Sequence, residues 1–205
     1  MFGLMTDQVV ELRQYTLRPG TRDTLIELFD REFVETQDAV GMRVIGQFRV
    51  EAAPDKFVWL RSFPDMEQRE RSLSAFYDGP AWVQHRAAAR ETMVDTDDVL
   101  LLRPVGDGFP LRDRPLPGST ALPESRFLLT VHYGDEPFTD AFADSLEYEP
   151  LVCLRSEYAA NTFTALPVRE GEHVFVTVEN FAGVLRGGAR TEEMVLRPTS
   201  RSGLR

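Results

Sequence analysis

From Val9 to Leu17 the chain alternates, with Val10 and Leu12 on one side and Glu11, Arg13 and Tyr15 on the other. Residues two apart share a strand face. The pattern therefore predicts a strand that offers an apolar face to a core and an acid, a base and a phenol on the opposite face. Arg18-Pro19-Gly20-Thr21 breaks the alternation. Leu25, Leu28, Phe29 and Phe33 then recur at three- and four-residue spacing, which predicts an amphipathic helix, and Gly41 fits its left-handed cap. Residues 42–50 read as a strand, Ala52-Ala53-Pro54-Asp55 as a turn, and residues 57–63 as the returning strand. Asp65, with Gln68 three residues on, predicts a capping box for a helix reaching Tyr77. Asp78-Gly79-Pro80 interrupts it, and Pro80 suits the first turn of a second helix carrying Trp82, Val83, His85, Arg86 and Arg90. Residues 99–102, Val-Leu-Leu-Leu, suit a buried closing strand. The order strand, helix, strand, strand, helix, strand is the ferredoxin-like split βαβ arrangement. Its sheet carries helices on one face only, so its bare face needs a cover.

The stretch 105–124 holds Pro110, Pro115, Pro117 and Pro123 with Gly106, Gly108 and Gly118, the composition of an irregular connector. Beyond it the first pattern returns in worn form. Residues 127–132 alternate, and Phe138, Ala141 and Phe142 make a short helical stripe. The run 166–176 resembles the hairpin around residues 48–58, and Glu192-Glu193-Met194-Val195-Leu196-Arg197-Pro198 parallels Asp97-Asp98-Val99-Leu100-Leu101-Leu102-Arg103-Pro104. This predicts an internal duplication, with units at 8–104 and 125–198 joined by 105–124. The fold class expected is α+β, tandem ferredoxin-like repeats with antiparallel sheets. In the second copy Gly183, Gly187 and Gly188 disfavour the second helix, and Leu128, Thr130 and His132 replace Glu11, Arg13 and Tyr15. The tail from Thr199 reads as disordered.

Composition narrows the function. The 205 residues carry a formal net charge of −10, 42% hydrophobic and 27% charged residues. That is the make-up of a soluble globular protein and lacks the basic footprint that nucleic acid requires. A small anion remains compatible, since a few local arginines suffice. Lys56 is the sole lysine and stands in a turn, a poor place to desolvate a Schiff-base amine. Cys153, the one cysteine, leaves no internal disulfide and no multi-cysteine metal site. Residues 1–7 lack the features of a signal peptide, and no apolar run approaches ~18 residues. The expectation is a cytoplasmic protein with no membrane and no nucleic-acid partner.

The chain resembles the NIPSNAP family of the dimeric α/β-barrel superfamily. The residues that carry the resemblance are Glu11-Leu12-Arg13-Gln14-Tyr15 with Pro19-Gly20, Gly46 and Phe48, Val58-Trp59-Leu60-Arg61-Ser62-Phe63, and Asp65 with Arg69. Phe76-Tyr77-Asp78-Gly79-Pro80-Ala81-Trp82 and residues 99–104 complete the first half. Asn161-Thr162-Phe163 and Leu166-Pro167-Val168-Arg169 resemble the family's second-half element, so the likeness spans roughly residues 8–198. The resemblance implies two ferredoxin-like sheets packed face to face into a barrel, either within one chain or between the chains of a homo-oligomeric dimer. The superfamily includes cofactor-independent monooxygenases, isomerases, cyclases and haem enzymes, so membership decides no chemistry.

The candidate catalytic residues are Arg13 as a clamp, Tyr15 as a hydrogen-bond donor or acid, and His132 as a proton-transfer group near neutrality on an inner face. Glu11, Trp59, Arg61, Trp82 and His85 are candidates for substrate binding. Each also has a structural reading: a buried ion-pair network for Glu11, Arg13 and Tyr15, core packing for the tryptophans, and a satisfied helix histidine for His85. Three separated histidines with no carboxylate at ligand spacing argue against a metal, and no phosphate loop occurs. Two functions follow. One is a cofactor-free site, of monooxygenase, isomerase or cyclase type, for a small carbonyl or aromatic metabolite held between sheet and helices. The other is a non-catalytic binding or scaffold protein.

Overall fold

The computed structural model describes residues 8–205; the stretch read for a leader lies outside them. Nine strands occur among the described residues: β1 (Val9–Leu17), β2 (Arg43–Val50), β3 (Lys56–Phe63), β4 (Met93–Asp95), β5 (Val99–Val105), β6 (Phe127–Tyr133), β7 (Val152–Ser156), β8 (Val174–Asn180) and β9 (Thr191–Pro198). They form one antiparallel sheet in the order β3-β2-β9-β6-β8-β7-β5-β1-β4, and β1 also pairs with β3. That pairing closes the sheet into a barrel, with β4 hung on the end of β1. The order β2-β3-β1-β5 recurs as β7-β8-β6-β9, so each half is a ferredoxin-like sheet. The seams are β2 with β9 and β5 with β7, and both lie within this one chain.

Alternation sorts the side chains into two cores. Val10, Leu12, Val58, Leu60, Leu100 and Leu102 from the first half meet Phe127, Leu129, Val131, Leu154, Val176 and Val178 from the second. This apolar filling is what an eight-stranded barrel has room for. A second core lies outside the barrel, between the first sheet and its helices. Glu11, Arg13 and Tyr15 therefore lie under helices, outside the apolar interior of the barrel.

Four helical segments cover the first sheet: α1 (Arg22–Leu28), α2 (Val34–Ala39), α3 (Met66–Tyr77) and α4 (Pro80–Thr92). A π-helical turn, Phe29–Phe33, joins α1 to α2, and Gly41 follows them at φ 88°. Asp65 caps α3 by accepting from the Gln68 backbone N–H at 2.6 Å. The Gln68 side chain bonds Ser72 Oγ instead of reaching back, so the box is only half built. In the second half the helical stripe is a 3₁₀ turn, Asp140–Ser145. Residues 166–173 are not a hairpin strand there. The hairpin partner of β8 is β7, and a loop over 157–173 joins them.

The tail is ordered, against expectation. Arg201 and Leu204 are each 2% exposed. The Leu204 N–H donates to Ile45 O at 3.0 Å, and the Arg201 guanidinium reaches Glu35, Asp30 O and Pro115 O. Beneath it Asp30, in the π-turn, accepts from Gln47 Nε2 at 2.9 Å. Burial pushes the Asp30 carboxyl up to about 6, against the pull of Thr199, Arg201 and Gln47. A carboxyl raised in the folded state binds its proton more tightly than in the unfolded chain. Its stabilising contribution is complete below the unfolded value and is lost as pH rises through about 6. The stability gap between Asp30→Asn and the parent should therefore grow in the variant's favour by about 2–3 kcal/mol from pH 4 to pH 7.5. Urea unfolding at the two pH values measures it, and an unchanged gap would show that Asp30 does not titrate there.

Candidate functional site

The register of the first sheet builds a charged cluster on its helix face. Glu11 stands opposite Arg61 and Arg13 opposite Trp59 across β1 and β3. Glu11 Oε2 accepts from Arg13 Nη1 at 2.7 Å and Arg61 Nε at 2.8 Å, and Oε1 accepts from Arg69 Nε at 2.7 Å. Arg69 comes from α3, whose buried face reads Arg69, Ser72, Leu73, Phe76. All four charged groups are at most 1% exposed. Burial alone would raise the Glu11 carboxyl, but Arg61, Arg13 and Arg69 outweigh it and hold it well below the usual range. Burial draws Arg69 down, with Arg61 and Arg13 adding to that and Glu11 opposing.

Two polar groups link this cluster to a cavity. Arg13 Nε donates to the Tyr15 hydroxyl at 3.2 Å, and Arg61 Nη1 donates to Gln37 Oε1 at 3.1 Å. Tyr15 and Gln37 line a cavity of about 530 Å³ between β1, β3 and the helices, within the usual range for small-molecule sites. Phe29, Phe33, Trp59, Phe76, Tyr77 and Trp82 wall it, and Arg86, Arg90, Asp78 and Asp97 also line it. Phe29 packs on Trp59 at 4.8 Å and Tyr77 on Trp82 at 5.0 Å between ring centroids. The π-turn sets this wall, since Phe29 and Phe33 are its first and last residues; such turns are frequent at functional sites. Burial raises the Tyr15 phenol above its ordinary value, although Arg13 opposes this, so it stays protonated at neutral pH. Its oxygen already accepts from Arg13, and among the described residues its own proton has no acceptor. Tyr15 is therefore a donor without a protein partner on the wall of an aromatic cavity.

The second half contributes a roof. Phe163, Ala165 and Leu166 from the 157–173 loop line the cavity, and Phe163 stacks on Tyr77 at 6.0 Å. Arg69 Nη1 donates to Asn161 Oδ1 at 3.0 Å, and Asn161 Nδ2 donates to Leu166 O at 2.9 Å. The loop is thus tied to the buried cluster by one side chain.

The structure brings Tyr15, Trp59 and Trp82 to the cavity, with Glu11, Arg13 and Arg61 directly behind them. His132 is elsewhere. It lies on the outer face of the second sheet, against Phe142 and 3.3 Å from the Tyr148 hydroxyl. The alternation that places Phe127, Leu129 and Val131 in the barrel turns His132 outward, and burial pushes its imidazole below the ordinary value. It cannot share proton transfer with Tyr15. His85 does not line the cavity; its Nε2 lies 3.4 Å from Glu32 Oε2. Sequence reading missed Gln37, Arg69, Tyr77, Arg86, Arg90 and Phe163 as site residues. Arg69 was detectable as a lone charge on the apolar stripe of α3. Phe163 was not, because only the fold carries its loop across.

The NIPSNAP family model matches residues 10–107. This part of the chain is a NIPSNAP domain. The match takes in β1 to β5 and stops at the connector, so the second half, to which the resemblance extends, lies outside it. A NIPSNAP-like domain protein from Burkholderia xenovorans is 28% identical over 55% of this chain and 97% of its own, with a TM-score of 0.47. Two solved structures cover nearly the whole chain. A protein from Fusobacterium nucleatum, provisionally named a monooxygenase, aligns over 97% of this chain and 95% of its own at 8% identity, TM-score 0.54. One from Lactobacillus acidophilus with the same provisional name aligns over 96% and 98% at 11% identity, TM-score 0.52. At such identities the two share the fold of the NIPSNAP domain together with its second half. No curated protein matches the chain. Among the described residues no helix is long and apolar enough to cross a membrane, and no three His, Cys, Asp or Glu groups converge as a metal site.

Proposed function

We propose that the chain binds a small planar aromatic molecule bearing a carbonyl-type oxygen, in the cavity between the first sheet and its helices. The observation that carries this reading is the unclaimed Tyr15 proton on an aromatic wall, with Arg13 donating to the phenol oxygen behind it. Rings of the ligand would lie among Trp59, Phe29, Tyr77 and Trp82, and its oxygen would accept from Tyr15. The chemistry open to this arrangement is stabilisation of negative charge on that oxygen. A cofactor-independent monooxygenase, isomerase or cyclase acting on a carbonyl compound would need that step. A pure scaffold role accounts for the contacts of Arg13 with Glu11 and Tyr15, but it gives no reason for a void beside them.

The two tryptophans of the chain both line the cavity, so their emission should change when a ligand enters. Calorimetry with 2-acetylnaphthalene and its apolar counterpart 2-ethylnaphthalene tests the reading. Tyr15→Phe should weaken the ketone by about 5–10-fold, the worth of one hydrogen bond, and leave the hydrocarbon nearly unchanged. If neither compound binds at millimolar concentration, or if both respond equally to the variant, the proposal fails.

A further inference from the structure

The charge count of the cluster names the class of ligand. One carboxylate, Glu11, is shared by three guanidiniums, Arg13, Arg61 and Arg69, and all four groups are buried. Among the described residues no second carboxylate touches these arginines. Arg13 Nη2 has only the Thr96 carbonyl at 3.5 Å, and Arg69 Nη2 is buried with no hydrogen-bond partner. The cluster therefore holds two positive charges in excess, a state that buried groups sustain only at high cost without a counter-charge. The cavity is where that counter-charge can sit. Two of its polar wall groups, Tyr15 and Gln37, each accept from a cluster arginine, and the Trp59 ring that forms part of its wall lies 5.6 Å from the Arg13 guanidinium carbon and 5.0 Å from that of Arg61. Around the rest of the lining, Arg86 and Arg90 are exposed and make no ion pair among the described residues, while Asp78 and Asp97 balance them in number. The net excess thus comes from the buried end.

We infer that the physiological ligand is an aromatic anion, a planar ring system carrying a carboxylate or a comparably charged oxygen, bound with that oxygen against Tyr15. This rests on the cavity being a ligand site and adds the charge of what fills it. Arg86 and Arg90 would draw the anion in, and the buried excess would hold it.

Matched pairs separate the two layers of the argument. Benzoate with benzamide, 2-naphthoate with 2-naphthamide, and biphenyl-4-carboxylate with its amide differ in charge but little in shape. Calorimetry on the full chain should show the best-fitting carboxylate binding at least tenfold tighter than its amide. Arg86→Gln with Arg90→Gln, both exposed on α4, should weaken the carboxylate several-fold more than the amide. If amides bind as tightly as carboxylates, the anion assignment is overturned and the binding site stands. If no member of any pair binds, the site itself is overturned and this inference with it.

Discussion

Glu11→Gln is expected to remove most of the protein's stability. The substitution keeps the shape of the side chain and deletes what is, among the described residues, the one negative charge touching three buried guanidiniums. Removing one partner of a buried ion pair costs about 3–5 kcal/mol. Here one carboxylate serves three arginines at 2.7 Å, so the upper end of that range is the floor. Set against a total of about 5–15 kcal/mol for a native domain, the variant should be largely unfolded or aggregated at 37 °C. Arg69→Met provides the contrast. It leaves Glu11 with two arginines, lowers the buried excess from two charges to one, and gives up the Asn161 contact. It should cost clearly less than Glu11→Gln in urea unfolding. If the arginine variant were the more damaging of the two, Glu11 would not be the hub of the cluster.

The second large effect is expected at the tail. Arg201→Ala combined with Leu204→Ala should destabilise the protein by about 4 kcal/mol or more, since a buried leucine truncation alone costs about 2–5 kcal/mol. The arginine adds charged hydrogen bonds to Glu35, Asp30 O and Pro115 O. Those partners lie on the helical cover and on the connector, so the tail fastens both to β2. Thermal unfolding should show one transition shifted down. An unchanged midpoint would mean that these residues only rest on the surface. Gly46 supports the same contact: a Cβ there would stand 2.7 Å from Ser202 Oγ and 2.6 Å from the Phe48 ring.

The first half was legible because local rules and tertiary demand agree in it. Alternation from Val9 to Leu17, the Asp65 cap, Pro80 opening α4 and Gly41 closing α2 each meet a single physical requirement in the observed fold. The second half was less legible. Its hairpin strand β7 is only five residues, Val-Cys-Leu-Arg-Ser. The run 166–173 looks more strand-like than it is, because it belongs to a loop whose Phe163, Ala165 and Leu166 roof a cavity. The tail was misread because Ser, Gly and Arg suggest disorder locally, and only the Arg201 and Leu204 contacts explain their burial. The site was half visible. Glu11, Arg13, Tyr15, Trp59 and Arg61 stand on one face by strand arithmetic, but which face meets the helices depends on barrel closure. That closure also turned His132 away from the site its alternation pattern suggested.

Joining both halves of the barrel in one polypeptide has a consequence for stoichiometry. Two identical subunits meeting across a twofold axis must build every pocket in duplicate, and any substitution strikes both. Here the halves differ: one carries the α-helices and most of the cavity wall, and the other, which has no α-helix among the described residues, lends the loop bearing Phe163. Each barrel should thus saturate at a single equivalent of ligand, and the roof can change its preferences without altering the floor it covers.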